Sequence, residues 1–170
     1  MKELKLGVVD QSPVRSGGSG AEALRETLEL ARVTDALGYS RYWVAEHHNT
    51  AGFAGPSPEV LIPSVAAATK GIRVGSGGVM LSHYAPYKVA ENFRVLETLY
   101  PGRIDLGLGR APGGDLRTAQ ALRRAPGRYT AMDFPDQVAD LLGWLRGDLP
   151  PDHPYGDVRA TPAGPGVPEV

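Results

Sequence analysis

A chain of 170 residues is long enough for one sizeable core and short for two. Its 18 Lys and Arg nearly balance its 19 Asp and Glu, and neither sign forms a long run, so it carries no electrostatic footprint for nucleic acid or an anionic membrane; a small molecule is the expected partner. The absence of cysteine excludes disulfides, thiolate metal sites and a cysteine nucleophile, and with no apolar leader or transmembrane-length stretch a soluble cytoplasmic protein is expected.

Four short apolar runs, Leu6 to Val9, Tyr42 to Ala45, Ile72 to Val74 and Ile104 to Leu108, recur along the chain, each followed by an amphipathic pattern of helical length. That is the alternation of a parallel α/β sheet. The first helix is announced by Ser19 with Glu22 three residues on, a capping box, and is closed by Gly38. Leu24, Leu28 and Ala31 form one stripe on it and Leu30, Val33 and Leu37 a second, as for a helix touching both a sheet and a neighbouring helix. Ser57 with Pro58 starts a second helix running to about Lys70. The third begins at Pro86, buries Val89, Phe93 and Leu96, and stops at Pro101-Gly102. Residues 115–132 read as a short helix and a loop. A last helix follows Asp133 and buries Val138, Leu141, Leu142 and Leu145 before Gly147. Residues 1–148 thus form the βα part. The Pro- and Gly-rich residues 149–170 read as a connector approaching a fifth strand at Val167 to Val170.

The polar and glycine-rich segments each follow a strand, at the end where parallel sheets build their sites. They are Asp10-Gln11-Ser12, Glu46-His47-His48-Asn49, Gly75-Ser76-Gly77-Gly78 and Gly109-Arg110. Adjacent histidines leaving a strand point in different directions, which disfavours one shared metal ion. For His48 a structural role, its ring bonded to a backbone carbonyl, is preferred, and for His47 a proton-handling or ligand-binding one. Glu46 either lines the site or orients a neighbour. Three glycines within Val74 to Leu81 mark a bulge, a turn, or a backbone that something flat approaches. Arg110 offers a permanent charge and a planar fork to a carbonyl-rich or anionic ring, or else to a surface carboxylate. The run Gly107 to Gly114 fails as a dinucleotide fingerprint, because its third glycine is one residue late and Pro112 interrupts the helix entry.

Taken together, Tyr42 to Asn49, Ile72 to Leu81, Ala90-Glu91-Asn92-Phe93 and Pro101 to Arg110 resemble the luciferase-like flavin-dependent monooxygenases, in order and spacing, along nearly the whole chain. The resemblance implies a TIM-type (β/α)8 barrel of which this chain holds the first half, about four βα units. It further implies reduced flavin mononucleotide with O2 as co-substrates, or in some branches a deazaflavin, and a small organic substrate. His47 matches the family's active-site histidine, Gly77-Gly78 a non-proline cis peptide beneath the flavin ring, and Arg110 a ring contact; Glu46, Ser76 and Gly109 stand with them as candidate cofactor contacts. A flavin reductase is a possible partner of such enzymes. The family's grip on the flavin phosphate lies in the other half of the barrel, so weak or no turnover is expected of this chain alone. Half a barrel leaves its inner face and two sheet edges bare, so a homo-oligomer or pairing with a second barrel half is expected. Two other readings remain: a non-catalytic flavin-binding or assembly module, and a doubly wound nucleotide-binding domain with helices on both faces of its sheet.

Overall fold

The recurring apolar runs form a four-stranded, all-parallel sheet of β1 (Gly7–Asp10), β2 (Arg41–Val44), β3 (Arg73–Met80) and β4 (Ile104–Gly109), in the order β1-β2-β3-β4. The computed structural model describes residues 4–111, 114–122, 132–164 and 166–170. Helices α1 (Gly20–Ala36), α2 (Pro58–Ala68) and α3 (Pro86–Leu99) follow the first three strands; α4 (Leu116–Leu122) and α5 (Phe134–Arg146) follow β4. Each strand lies beside its predecessor and the order never reverses, which is half of a TIM-type barrel. A doubly wound sheet needs a reversal at its switch point, so that alternative is excluded.

Alternation decides the two faces of the sheet. Tyr42, Val44, Val74, Ile104 and Leu106 turn outward and are buried against Ile62, Val65, Phe93, Leu141 and Leu145 of the helix layer. Val9, Arg41, Trp43, Arg73 and Asp105 alternate with them and turn to the inner face. Val9 there is 59% exposed. On α1 the buried side is Ala23, Thr27, Ala31 and Thr34, with Leu24 and Leu28 half-buried beside it. The second expected stripe, Leu30, Val33 and Leu37, is instead exposed, since no element of the described residues packs on that side of α1.

Local signals account for the helix ends. The Ser19 hydroxyl accepts from the Glu22 amide at 3.2 Å while the Glu22 carboxylate accepts from the Ser19 amide at 2.7 Å, so the capping box forms. Gly38, at φ +77°, accepts the left-handed turn that ends α1. Helix α2 ends at Ala68 rather than about Lys70, because Thr69 is already extended and Arg103 reaches back to the carbonyls of Ala66, in the last turn, and of Thr69, just beyond it, at 3.2 and 3.3 Å. Ser57 precedes α2 as expected but makes no side-chain cap bond. Of the expected inner side of α5, Leu141 and Leu145 are buried, Val138 and Leu142 half-buried; Gln137, Gly143 and Trp144 complete the contact.

Residues 149–170 contain no helix or extended strand among those described, and several of them pack on the helix layer. Leu149 lies on Gly143, where a Cβ would come within 2.5 Å of it. The Arg94 guanidinium, buried between α3 and α5, donates to the carbonyls of Leu145, Pro162 and Gly164 at 2.5, 2.7 and 3.0 Å. Buried cations need such satisfied geometry, and it fixes the strap over the helices. Glu169 then bridges Asp105 in parallel, its carbonyl accepting from Leu106 N–H at 2.7 Å.

Candidate functional site

In a parallel sheet all strand tips of one polarity share one edge, so the segments after β1 to β4 leave the sheet side by side. Neighbouring register brings them together: Val44 pairs with Ser76 and Met80 with Gly109, which sets the start of the Glu46-His47-His48 segment beside Gly77-Gly78, and Arg110 beside the end of β3. His47, Gly77 and Arg110 thus lie along the same edge of the sheet, on or just beyond neighbouring strands. Arg110 is exposed there, the first residue beyond β4. The loops after β1 and β2 also pair with each other, through a Pro13–Phe53 bridge, Val14 N–H to the Gly52 carbonyl at 2.8 Å and Ala54 N–H to the Ser12 carbonyl at 2.9 Å. This ribbon carries Phe53 to 4.8 Å from the His47 ring, centroid to centroid. His47 Nδ1 is buried and has no hydrogen-bond partner among the described residues. A buried ring nitrogen without a partner is uncommon, and it marks His47 as a position for a functional role.

Glu46 and His48 behave differently. Glu46, 1% exposed, accepts from Tyr84 hydroxyl at 2.6 Å and from His48 Nε2 at 2.8 Å on one oxygen, and from the Met80 amide at 2.9 Å on the other. Its carboxylate orients neighbours, the second of the two roles the sequence allowed. His48 is held as expected for a structural ring, but by this carboxylate rather than by a backbone carbonyl. Burial, the Glu46 hydrogen bond and the Glu46 charge all hold the Tyr84 phenol above the usual tyrosine range. Burial likewise raises the Glu59 carboxyl, with the Glu46 charge adding to the shift and His48 opposing it. His83 lies edge-on to His48 at 6.3 Å.

The glycines divide by what surrounds them. A Cβ at Gly75 would stand 2.3 Å from the Asp105 carbonyl oxygen, at Gly107 2.3 Å from that of Ser76, and at Gly78 2.7 Å from that of Gly107. These three exist for the close approach of β3 and β4, whose register shifts between Ser76 and Val79. Ser76 is fully buried and its hydroxyl donates to the Gly107 carbonyl at 2.9 Å, bracing that irregularity. Gly77 is the exception, exposed on the inner face, where a Cβ would lie 3.1 Å from Trp43 Cβ and 3.6 Å from Val9 Cγ1. Val9, Trp43 and Gly77 therefore leave a flat apolar surface on the inner face. The Gly77–Gly78 peptide is cis. An apolar surface with no Cβ at Gly77 suits a planar ring such as a flavin, and His47 follows β2, the strand that supplies Trp43.

Asp10 and Ser12 do not reach the mouth. The Asp10 carboxylate accepts from Tyr42 hydroxyl at 2.5 Å and Ser12 N–H at 2.8 Å, and the Ser12 and Thr27 hydroxyls pair at 2.8 Å, all buried between β1 and α1. Burial and then Asp10 push the Tyr42 phenol up. Pro112 and Gly113 of the Gly107 to Gly114 run, and 123–131 of the expected loop, lie outside the described residues. Sequence reading missed Phe53, Tyr84 and the inner-face floor, where buried Asp105 accepts from Arg41 at 3.0 Å, Trp43 at 2.8 Å and Arg73 at 2.7 Å, while Arg41 also holds Glu169 at 2.8 Å. A lone Asp in the apolar run Ile104 to Leu108 was the available signal. Among the described residues no cluster of three or more His, Cys, Asp or Glu is arranged to hold a metal ion, and no helix is long and apolar enough to cross a membrane.

N-acetyl-S-alkylcysteine monooxygenase of Bacillus subtilis (strain 168) is 45% identical over 159 residues, covering 94% of this chain and 47% of that protein. Among solved structures, apo-MsnO8 superposes with a TM-score of 0.86 at 48% identity, covering 98% of this chain and 48% of that one. The oxygenating constituent of 3,6-diketocamphane monooxygenase from Pseudomonas putida, solved in complex with FMN, shares the fold at a TM-score of 0.66 and 24% identity, over 81% of this chain and 37% of that one. The chain spans about half the length of the curated relatives it matches. The profile of the luciferase-like monooxygenases matches residues 4–145, and the chain belongs to that family.

Proposed function

We propose that this chain supplies the flavin-facing half of a monooxygenase active site that oxidises a small organic substrate with O2 and reduced FMN. Two observations support the reading: the unpartnered His47 Nδ1 just beyond β2, and the apolar Val9–Trp43–Gly77 surface on the inner face of β1 to β3. The FMN bound by the diketocamphane enzyme, which shares the fold, supports the choice of ring. When bound, reduced flavin supplies the electrons that activate O2, one oxygen atom passing to substrate and the other to water. The chain's own residues would bind and protect. Trp43, Val9 and Phe53 exclude water from the ring's face; His47 holds or moves a proton at Nδ1; Arg110 donates to the ring's carbonyl edge; Gly109, at the end of β4, lets the ring approach the backbone. A deazaflavin presents a similar ring, and a separate flavin reductase would supply the reduced cofactor.

Titrating the chain with FMN, read by flavin fluorescence, tests the reading. Saturable but weak binding is expected, weakened about tenfold in Arg110→Ala, the value of one charge-assisted hydrogen bond, and a parallel titration with a deazaflavin decides between the two rings. Oxygen consumption with added reduced FMN should stay near the flavin's own autoxidation, because the phosphate grip is expected elsewhere. Absence of saturable binding overturns the flavin assignment, and robust turnover by the chain alone overturns the need for a second half.

A further inference from the structure

The buried carboxylate of Glu46 joins two strand tips that carry different parts of the candidate site. Glu46 belongs to the segment leaving β2, one residue before His47; its acceptor bonds run to the Met80 amide at the end of β3 and to Tyr84 just after the 3-10 turn Leu81–His83. Met80 is two residues beyond Gly78, on the strand that presents Gly77 to the inner face. Beyond Val44–Ser76 the regular β2–β3 pairing has stopped, so no backbone ladder ties these tips together. The spacing there is left to side chains, and Glu46 spans the gap with three donors on its two oxygens. On its other side the same carboxylate fixes the His48 ring, next in chain to His47.

We infer that Glu46 is a positioning residue: by binding Met80 N–H, Tyr84 and His48 together, it sets the gap between His47 and Gly77 into which the planar ring is received. Contact with the cofactor is not part of this role, and Glu46 acts through the two tips it joins. The inference rests on the flavin reading for what occupies the gap, but not for the tie itself.

Glu46→Gln keeps the side-chain volume and removes one acceptor oxygen, because an amide nitrogen cannot accept, so at least one of the three donors loses its partner. NMR of the chain without any cofactor reads the result. The expected outcome is a displaced Met80 amide together with displaced Gly77 and Gly78 amides and altered His47 and His48 ring signals, while α1 and α5 amides stay in place. FMN affinity should fall roughly tenfold, the worth of one hydrogen bond. Tyr84→Phe removes a donor and leaves the carboxylate; it should move the same signals less, and it serves as the test if Glu46→Gln does not fold. Unchanged His47 ring and Gly77 amide signals in whichever variant folds overturn the inference. Shifted signals in a chain that binds no flavin at all uphold the tie and overturn the flavin reading instead.

Discussion

At the scale of single residues, the same amino acid does opposite work a few positions apart. Gly75 and Gly77 both sit in β3, yet a Cβ at Gly75 would meet the Asp105 backbone at 2.3 Å, whereas one at Gly77 would meet the Trp43 side chain at 3.1 Å. Backbone cannot yield to the first contact, while a side chain can shift a few tenths of an ångström for the second. Gly75→Ala is therefore expected to destabilise the chain by about 3 kcal/mol or more, the upper range for overpacking a core. Gly77→Ala should lower the urea midpoint far less, yet weaken FMN, since it roughens the surface proposed for the ring. Equal losses of stability in the two variants would contradict this division. Histidines differ in the same way: His47 keeps a buried nitrogen unpaired while His48, one position on, is held by Glu46.

Among the elements, the joints between them decide the architecture more than their interiors do. Asp35, near the end of α1, accepts backbone N–H from Lys70, Ile72 and Gly71 at 2.7, 2.8 and 3.1 Å, and so docks the turn that leads from α2 into β3. Burial works against its charge, but those three amides, with Arg103 adding, outweigh it and hold the carboxyl below the usual aspartate range. A carboxyl depressed on folding contributes stability above its unfolded pKa, near 3.9, and loses that contribution as pH falls through the folded value. Asp35→Ala should accordingly cost about 2 kcal/mol at pH 7, from lost hydrogen bonds to a charged group. The gap between variant and parent in urea midpoint should narrow below about pH 4, where the parent's own carboxyl takes up its proton. A gap independent of pH would show that Asp35 acts by packing alone. Arg103 and Arg94 make joints of the same kind, each charged fork collecting carbonyls from two or more segments.

For the whole molecule, the imbalance between its two faces is the main fact. The helix layer covers one side of the sheet with a continuous core, while on the other side Val9 stays 59% exposed and the edge strand β1 has an open flank. Leu6 and the α1 residues Leu30, Val33 and Leu37 are exposed as well, so large apolar side chains meet water on more than one side of the chain. Sedimentation of the 18.0 kDa chain should reveal self-association or capture of a second barrel half rather than an ideal monomer. A monodisperse monomer with a cooperative melt would refute it. The floor of the inner face is better provided for: Asp105 sits between Arg41 and Arg73, and Glu169 reaches in to Arg41, so charges close the end away from the mouth.

Much of this architecture is local, and local patterns are written in sequence. Strand alternation, the Ser19–Glu22 box, Pro86 at the start of α3 and Gly38 and Gly147 at helix ends each depend on neighbours a few positions away, so the βα order and the edge bearing the candidate segments could be read without coordinates. What sequence could not decide is where each polar side chain turns. Asp10 and Ser12 follow a strand just as Glu46 and His47 do, yet they are drawn into the helix layer by Tyr42 and Thr27, partners 32 and 15 residues distant in the chain. Gly75, Gly77 and Gly78 look alike in sequence, and only the path of β4 beside them separates backbone packing from an open surface. Hydrogen-bond partners and close contacts between distant segments are properties of the folded chain, and they, rather than residue type, choose which groups remain available for chemistry.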